Sequence, residues 1–221
     1  MEARVKAVVA SIIAPVTAAS DLDSFLKVAQ GPVFVFGDAG TGKSTAVRES
    51  LERENFLFVS VPGTHRKYTQ ATVVLRLLEA TGVETPDTLN REYRLLSRLR
   101  MYYALNGIST IVIDEADNLS GDCIQYCNEL CRSLSDIGYR IIYIGEEKPA
   151  GITDMAFYHY MPLSYSDVLL VINTVAEKIG LAPETAMELT RNVLSNLNLK
   201  QDSTIAIYRL NYAIYDCLSQ L

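Results

Sequence analysis

The chain has 221 residues, 49% of them hydrophobic, so it can bury a core of its own and is not a disordered chain. Its formal net charge of −6 excludes a protein whose whole surface is basic for nucleic acid. Residues 61–100 hold seven Lys or Arg and four acids, a balance of +3 against −9 elsewhere, which is compatible with a local site for a polyanion.

The N-terminal residues 7–19 are uncharged and mostly apolar, which resembles a weak signal peptide. Glu2 upstream and Pro15 after only a short apolar run favour an amphipathic helix to about residue 13 instead. No segment reaches the roughly 18 consecutive apolar residues of a membrane span, so no membrane partner is expected.

Short apolar runs then alternate with helical patterns. Ser20 is the predicted N-cap of a helix that ends at Gly31. Predicted strands follow at 32–36, 56–61, 110–113, 139–145 and 158–163, and predicted helices at 45–54, 69–82, 87–107 and 121–138. This alternation predicts an α/β fold with a parallel sheet covered by helices on both faces.

After Leu163 the pattern changes to helices without strands. They are predicted at 164–180, 183–198 and 202–221. Pro183 suits the first turn of the second helix, and Asp202 or Ser203 is the expected cap of the third.

The stretch FGDAGTGKSTAV at 36–47 contains G-x-x-x-x-G-K-S between a predicted strand and a predicted helix. Glycines let successive backbone N–H groups point at phosphates, and the helix N-terminus adds partial positive charge. Lys43 is expected to reach the outer phosphates and Ser44 to offer its hydroxyl to Mg²⁺. The predicted nucleoside-triphosphate site comprises Gly37, Asp38, Ala39, Gly40, Thr41, Gly42, Lys43, Ser44 and Thr45. The alternative, a glycine-rich turn with a chance lysine, is disfavoured by the order strand, loop, helix.

A carboxylate for Mg²⁺ is expected from TIVIDEAD, where a predicted strand ends in two acids. The carboxyl ends of parallel strands open onto the same edge of the sheet. Asp114 is predicted to hold the metal through water, and Glu115 to polarise the attacking water as general base or water-positioner. The alternative is a pair of solvated acids at a strand end.

The three cysteines of GDCIQYCNELCRSL recur every fourth residue, so they line one helix face. Cys123, Cys127 and Cys131 on one helix cannot readily surround a tetrahedral metal, and no C-x-x-C pair exists. Small buried core residues in a reducing, cytoplasmic compartment are the favoured interpretation; metal or redox chemistry is the alternative.

These motifs resemble those of the AAA+ ATPases: the loop Gly37–Ser44, VIDEAD at 112–117 and a C-terminal helical lid. The adjacent Asp–Glu pair excludes the Ras-like GTPase arrangement. VIDEADNL, the helix after it and IIYIGEE are similar to the transposition regulators of the Mu B, TnsC and IstB type. The resemblance extends over roughly residues 20–215.

The resemblance implies ATP-dependent assembly into rings or helical filaments on duplex DNA, and recruitment or stimulation of a DDE transposase. It places DNA contacts after the second strand, in VPGTHRKYTQ, with Arg66 and Lys67 on phosphates. Thr64, Tyr68 and Thr69 are weaker candidates. Without the resemblance, an Arg-Lys pair in a loop is usually solvated surface. Arg91, Arg94 and Arg98 form a helical stripe, which favours a solvated face or a subunit interface.

Two departures from the family predict slow or partner-dependent hydrolysis. Many members place Asn, Ser or Thr at the end of the fourth strand, whereas here Gly145 is followed by Glu146 and Glu147. No Lys or Arg lies between Lys148 and Lys178, where an arginine finger is expected.

The predicted organisation is an N-terminal helical segment at 1–30, an AAA+ nucleotide-binding domain at 31–163 and a helical lid at 164–221. The predicted function is an ATP- and Mg²⁺-dependent regulator that captures target DNA for a transposase. The alternatives are a helicase loader or replication initiator, and a nucleotide-dependent scaffold with little hydrolysis.

Overall fold

The computed structural model describes residues 16–52, 54–63, 67–82, 91–199, 205 and 207–220. The helices are α1 (Val16–Val28), α2 (Lys43–Ser50), α3 (Gln70–Ala80), α4 (Arg91–Asn106), α5 (Gly121–Arg132), α6 (Tyr165–Ile179), α7 (Pro183–Leu197) and α8 (Ile207–Gln220). The strands are β1 (Val33–Phe36), β2 (Phe56–Ser60), β3 (Thr110–Asp114), β4 (Arg140–Gly145) and β5 (Ala156–His159). Short 3₁₀ turns lie at Ala116–Asn118 and Ser135–Ile137.

The chain divides into two compact units. The sheet unit comprises Phe25–Phe36 and Ser50–His159. The helical unit comprises Met1–Ser24, Gly37–Glu49 and Tyr160–Leu221. The predicted boundaries at residues 30 and 163 stay a prediction.

The sheet unit is built on five strands in the order β2-β3-β4-β1-β5, and every strand pair is parallel. In the sheet, β1 lies between β4 and β5. The next strand along the chain, β2, lies at the far edge. In open parallel sheets, ligands bind outside the carboxyl ends of the strands, where the strand order reverses. The predicted α/β fold with a parallel sheet is confirmed, and β1 lies at that reversal.

The central strands β3 and β4 are continuous apolar runs because both of their faces are covered. Val112 and Ile142 are fully buried and pair with each other in register. Helix α3 contributes Leu77 and Leu78 to the same core, whereas α4 buries only Leu95 and Leu99 among its sixteen residues. Most of α4 therefore stays available to solvent or to a partner.

The cysteine face of α5 lies in this core. Cys123, Cys127 and Cys131 are buried, and the Cys123 thiol donates a hydrogen bond to the Tyr68 main-chain oxygen at 2.9 Å. Burial raises the pKa of Cys131 to about 12 and raises the pKa of Cys127 as well, because a thiolate is poorly solvated there. The prediction that these cysteines are core residues is confirmed.

The helical unit has a core of its own, and its helix ends carry strong caps. Ser164 and Asp167 form a capping box at the start of α6, and Gly180 ends that helix with a left-handed backbone. Pro183 occupies the first turn of α7, as predicted. The apolar faces meet through Val168, Ile172, Leu189, Val193 and Ile214, all fully buried.

Two predicted boundaries are wrong. Strand β5 ends at His159, and Leu163 instead forms an antiparallel bridge with Ile205 in the helical unit. Ser20 is inside α1 rather than its N-cap, since Ala18 and Ala19 are good helix formers that extend the helix upstream.

Other expectations lie outside the described residues, namely the helix to about residue 13 and the caps at residues 202–203. None of the helices in the described ranges is long and apolar enough to cross a membrane.

Candidate nucleotide-binding site

The glycine loop between β1 and α2 wraps around the ammonium of Lys43. The Lys43 side chain is only 8% exposed, and its Nζ donates hydrogen bonds to the main-chain oxygens of Gly37 and Asp38 at 2.6 and 2.7 Å. The hydroxyl of Thr41 donates to the same Asp38 oxygen at 2.9 Å. These local bonds hold the loop in a curled form, with a buried cation beside the N-terminus of α2.

The glycines of this loop are required by its geometry. A Cβ on Gly37 would lie 2.2 Å from the main-chain oxygen of Tyr160, closer than any real side chain allows. Gly40 and Gly42 have φ angles of 73° and 94°, which side chains strongly disfavour. Glycine spacing, a buried lysine and the start of a helix are together what a triphosphate requires, so these residues fit that ligand.

Each remaining residue of the predicted cradle has a definite place in the loop. Asp38, Ala39 and Gly40 are exposed, and Thr41 is buried. Ser44 and Thr45 are half-buried in the first turn of α2. A Ser44 hydroxyl in that position is the donor type that Mg²⁺ takes beside a phosphate loop.

The predicted acid pair lies at the carboxyl end of β3. Asp114 is the last residue of the strand and is half-buried, whereas Glu115 is exposed. Glu115 has a left-handed backbone with a φ of 60°, which costs a residue with a side chain about 1 kcal/mol or more. Its carboxylate accepts a hydrogen bond from the Ser60 hydroxyl, at the end of β2, at 2.8 Å. Strained backbone of this kind is concentrated at functional sites.

Asp114–Leu119, hereafter the acidic turn, holds both ends of the segment 61–68. The Asn118 side-chain amide donates to the main-chain oxygen of Val61 at 2.9 Å, and the Val61 N–H donates to the Asp114 oxygen at 3.0 Å. At the other end, the Tyr68 N–H donates to the Asn118 oxygen at 2.8 Å. The segment proposed to contact DNA is therefore bonded to the turn that carries Glu115.

The acidic turn also holds the end of β4. The Asp117 carboxylate accepts hydrogen bonds from the N–H groups of Glu146 and Glu147 at 2.6 and 3.1 Å. A Cβ on Gly145 would lie 2.8 and 2.9 Å from the Asp117 oxygens and 2.9 Å from a ring carbon of Phe34. Gly145 stands where a polar residue was expected because the Asp117 carboxylate already occupies that space. The sequence analysis did not predict this role of Asp117, although Asp117 follows the acid pair closely and Gly145 replaces an expected polar residue.

The predicted DNA contacts are only partly described. Lys67 is exposed, while Arg66 and Thr64 lie outside the described residues. Tyr68 is buried in the core at 5% exposure, so it is not the surface contact that was expected. Thr69 is exposed and caps α3, where its hydroxyl accepts from the Thr72 N–H.

The arginine stripe of α4 is mixed with apolar side chains. A shallow groove of about 420 Å³ is lined by Tyr93, Arg94, Ser97, Arg98 and Met101. Tyr93 is 73% exposed, and neither Arg94 nor Arg98 forms an ion pair within the described part of the chain. Exposed Tyr, Met and Arg are typical of protein interfaces.

The family model described as AAA domain matches residues 27–151, more than half of the chain. The chain belongs to the AAA domain family. The matched range contains the glycine loop, the acidic turn and the end of β4 at Gly145. No curated protein sequence matches the chain.

Solved structures show the same fold at low sequence identity. Cdc6p from Pyrobaculum aerophilum is 16% identical with a TM-score of 0.61, over 95% of this chain and 66% of that one. The Walker-type ATPase PABY2304 of Pyrococcus abyssi is 12% identical with a TM-score of 0.60, over 92% and 69%. Aeropyrum pernix ORC1, in a complex with DNA, is 18% identical with a TM-score of 0.53, over 92% and 64%. This AAA domain therefore resembles the Cdc6 and ORC replication initiators in fold, and it spans about two thirds of their length.

Proposed function

We propose that this AAA domain binds ATP with Mg²⁺ and hydrolyses it. The observation that carries the proposal is the buried ammonium of Lys43, held by the loop carbonyls of Gly37 and Asp38. Neutral main-chain oxygens stabilise a buried ammonium group less than the charged oxygens of a phosphate do. The AAA domain family and the Walker-type ATPase of P. abyssi support the same assignment.

Different residues are proposed to bind the phosphates, the metal and the attacking water. Lys43 and the loop N–H groups bind the phosphates, and Ser44 with Asp114 supplies the hydroxyl and carboxylate oxygens that Mg²⁺ prefers. The metal, when bound, neutralises charge on the phosphates. Glu115 accepts the proton of the attacking water, or orients that water, toward the terminal phosphate.

Basal hydrolysis is proposed to be slow. The Glu115 carboxylate accepts the Ser60 hydroxyl through one oxygen, and this bond tethers the side chain to the end of β2 and restricts its movement toward an attacking water. Residues 149–177 contain no Lys or Arg, so a stabilising arginine must come from elsewhere in the chain, another copy or a partner. A nucleotide-dependent scaffold with little hydrolysis is the limiting case of this behaviour.

We further propose that ATP drives assembly of several copies on duplex DNA, as a ring or a helical filament. The exposed Lys67, with Arg66 before it, supplies phosphate contacts, and the Tyr93, Arg94 and Arg98 face of α4 suits contact between copies. A chain of net charge −6 cannot hold DNA by general attraction, so it must multiply a local contact through assembly. The structure of ORC1 with DNA supports nucleic acid as the ligand.

Two partners fit this activity. The likeness to Cdc6 and ORC1 favours a role in loading a replicative helicase or in replication initiation. The stretch VIDEADNL with IIYIGEE favours target capture for a DDE transposase. A neighbouring gene for a replicative helicase or for a DDE transposase would discriminate between them. Both roles belong in the cytoplasm, where ATP is present.

Fluorescence anisotropy with a labelled duplex tests the DNA proposal. Binding should be weak without nucleotide, strong with ATP and steeply dependent on salt, and electron microscopy should show assemblies only when ATP and DNA are both present. Replacing both Arg66 and Lys67 by Ala should weaken binding about equally for all sequences and make the salt dependence shallower. Equal affinity with and without ATP would contradict the proposal.

A further inference from the structure

A cavity of about 350 Å³ opens in the sheet unit beside the acidic turn. Its lining comes from four separate segments of the chain. Lys67 precedes α3, Asp117 and Gly121 belong to the acidic turn and the start of α5, and Glu147 with Lys148 follows β4. The aromatic ring of Phe34 forms part of the wall.

Two lysines reach this cavity from positions 81 residues apart in the sequence. Lys67 is positioned by its neighbour Tyr68, whose N–H bonds to Asn118 and whose oxygen accepts the Cys123 thiol. The Nζ of Lys148 lies 4.0 Å from the ring centroid of Phe157, a cation–π contact that orients the side chain. The fold thus brings two exposed lysines, which no sequence motif links, to the lining of one cavity.

Two acids line the cavity together with the two lysines, so the formal charges of the lining sum to zero. Both oxygens of Asp117 accept main-chain N–H groups, which stabilise that carboxylate in the wall. Glu147 is exposed and lies beside Lys148 in sequence, and its N–H donates to Asp117. Removing the Glu147 charge would therefore leave the lining with a net positive charge.

We propose that this cavity binds a backbone phosphate of duplex DNA, with Lys67 and Lys148 as joint ligands of one phosphate. The inference rests on the proposed DNA binding and deepens it, because it adds a residue from the β4–β5 connection. Two ammonium groups from different segments are suited to the spread charge of a phosphodiester. A backbone phosphate carries no base identity, so the contact is independent of DNA sequence.

Lys148 gives no sign of this role in the sequence. It follows Glu146 and Glu147, so local charge counting assigns the stretch to the acidic part of the chain. The carboxyl ends of β2 and β4 lie at the same edge of the sheet, and this alone brings Lys148 to the cavity that contains Lys67.

Anisotropy with a labelled duplex and saturating ATP, across salt concentrations, tests the proposal. Lys67→Ala and Lys148→Ala should each weaken binding several-fold, about 5–10-fold near 0.1 M salt. Because the two lysines share one phosphate, the double variant should lower the slope of log affinity against log salt by about 0.9, not by twice that. Glu147→Gln should tighten binding, since it removes a repelling charge. ATP affinity and thermal unfolding are measured for every variant, so that lost folding or nucleotide binding is separated from lost DNA binding.

Lys178→Ala is the matched control, since Lys178 is an exposed lysine at the end of α6 and should leave DNA affinity unchanged. If Lys148→Ala bound DNA with wild-type affinity while Lys67→Ala bound it more weakly, the cavity proposal would be overturned and the proposed function would stand. If the double variant lowered the slope of log affinity against log salt by about 1.8, two phosphates would be lost and the shared phosphate would be overturned. Wild-type protein that binds no DNA with ATP would overturn the proposed function and this inference together. Binding of polyglutamate that depends on Lys148, with DNA unaffected, would assign the cavity to an acidic protein segment instead.

Discussion

The glycine loop and the acidic turn carry the two halves of the proposed ATP chemistry, but they are held in different ways. The glycine loop is held by its own residues, since Lys43 bonds main-chain oxygens five and six positions away. The acidic turn is held by distant residues: Ser60 bonds Glu115 across 55 positions, and the amide of Asn118 bonds Val61 across 57.

Because their hydrogen bonds differ in this way, the acidic turn can respond to movement of distant segments more directly than the glycine loop can. The hydrogen bonds of Lys43 and Thr41 within the glycine loop do not involve the ends of β2 or β4. A turn bonded to the ends of β2 and β4 must shift when the segments 61–68 or 146–148 shift. The four variants below test this contrast, in order of decreasing expected effect.

Glu115→Gln should slow ATP hydrolysis by about 10²–10⁴-fold, because the amide keeps the shape but cannot accept a proton. ATP affinity should stay near that of the wild type, and any ATP-dependent assembly should persist longer. Phosphate release and nucleotide binding are measured side by side. Glu129→Gln, an exposed change on α5, serves as the control. Wild-type turnover in Glu115→Gln would remove Glu115 from the reaction.

Lys43→Ala should weaken ATP binding by about 2–5 kcal/mol, because it removes a buried charge that faces the phosphates. Isothermal titration with ATP gives the affinity, and circular dichroism reports whether the fold persists. Lys27→Ala removes an exposed lysine from α1 as a comparison. A folded Lys43→Ala protein with unchanged ATP affinity would show that the glycine loop is not the cradle.

Gly145→Ala should lower the free energy of unfolding by about 1–3 kcal/mol, since its methyl group would collide with Asp117 and Phe34. The effect is read from denaturant midpoints. Gly121→Ala meets nothing within 4 Å and should be close to neutral. If the two variants were equally stable, Asp117 would not be fixed against the end of β4 as described.

Ser60→Ala should change stability least, by about 0.5–1.5 kcal/mol, because it removes one exposed hydrogen bond. It should raise ATP hydrolysis measured without DNA, since the Glu115 side chain is no longer tethered to the end of β2. Ser195→Ala, at an exposed serine on α7, is the comparison. Unchanged hydrolysis would mean that the Ser60 bond does not restrain Glu115.

Features that depend on neighbours along the chain could be predicted from the amino-acid pattern alone. The alternation of apolar runs and helices predicted the parallel sheet, because strands buried on both faces must be continuously apolar. The loop Gly37–Ser44 and the acid pair Asp114–Glu115 were recognisable because their chemistry needs particular residues at fixed local spacing. The helices after Leu163, with Pro183 in the first turn of α7, could be predicted for the same reason.

Features that depend on pairs of distant residues became apparent only in the folded chain. Leu163 reads as strand, yet it pairs with Ile205 because β5 ends four residues earlier, at His159. The fit of Asp117 against Gly145 and the meeting of Lys67 with Lys148 depend on the strand order β2-β3-β4-β1-β5. Strand order is set by the packing of the whole core, and local residue patterns carry no record of which strands become neighbours.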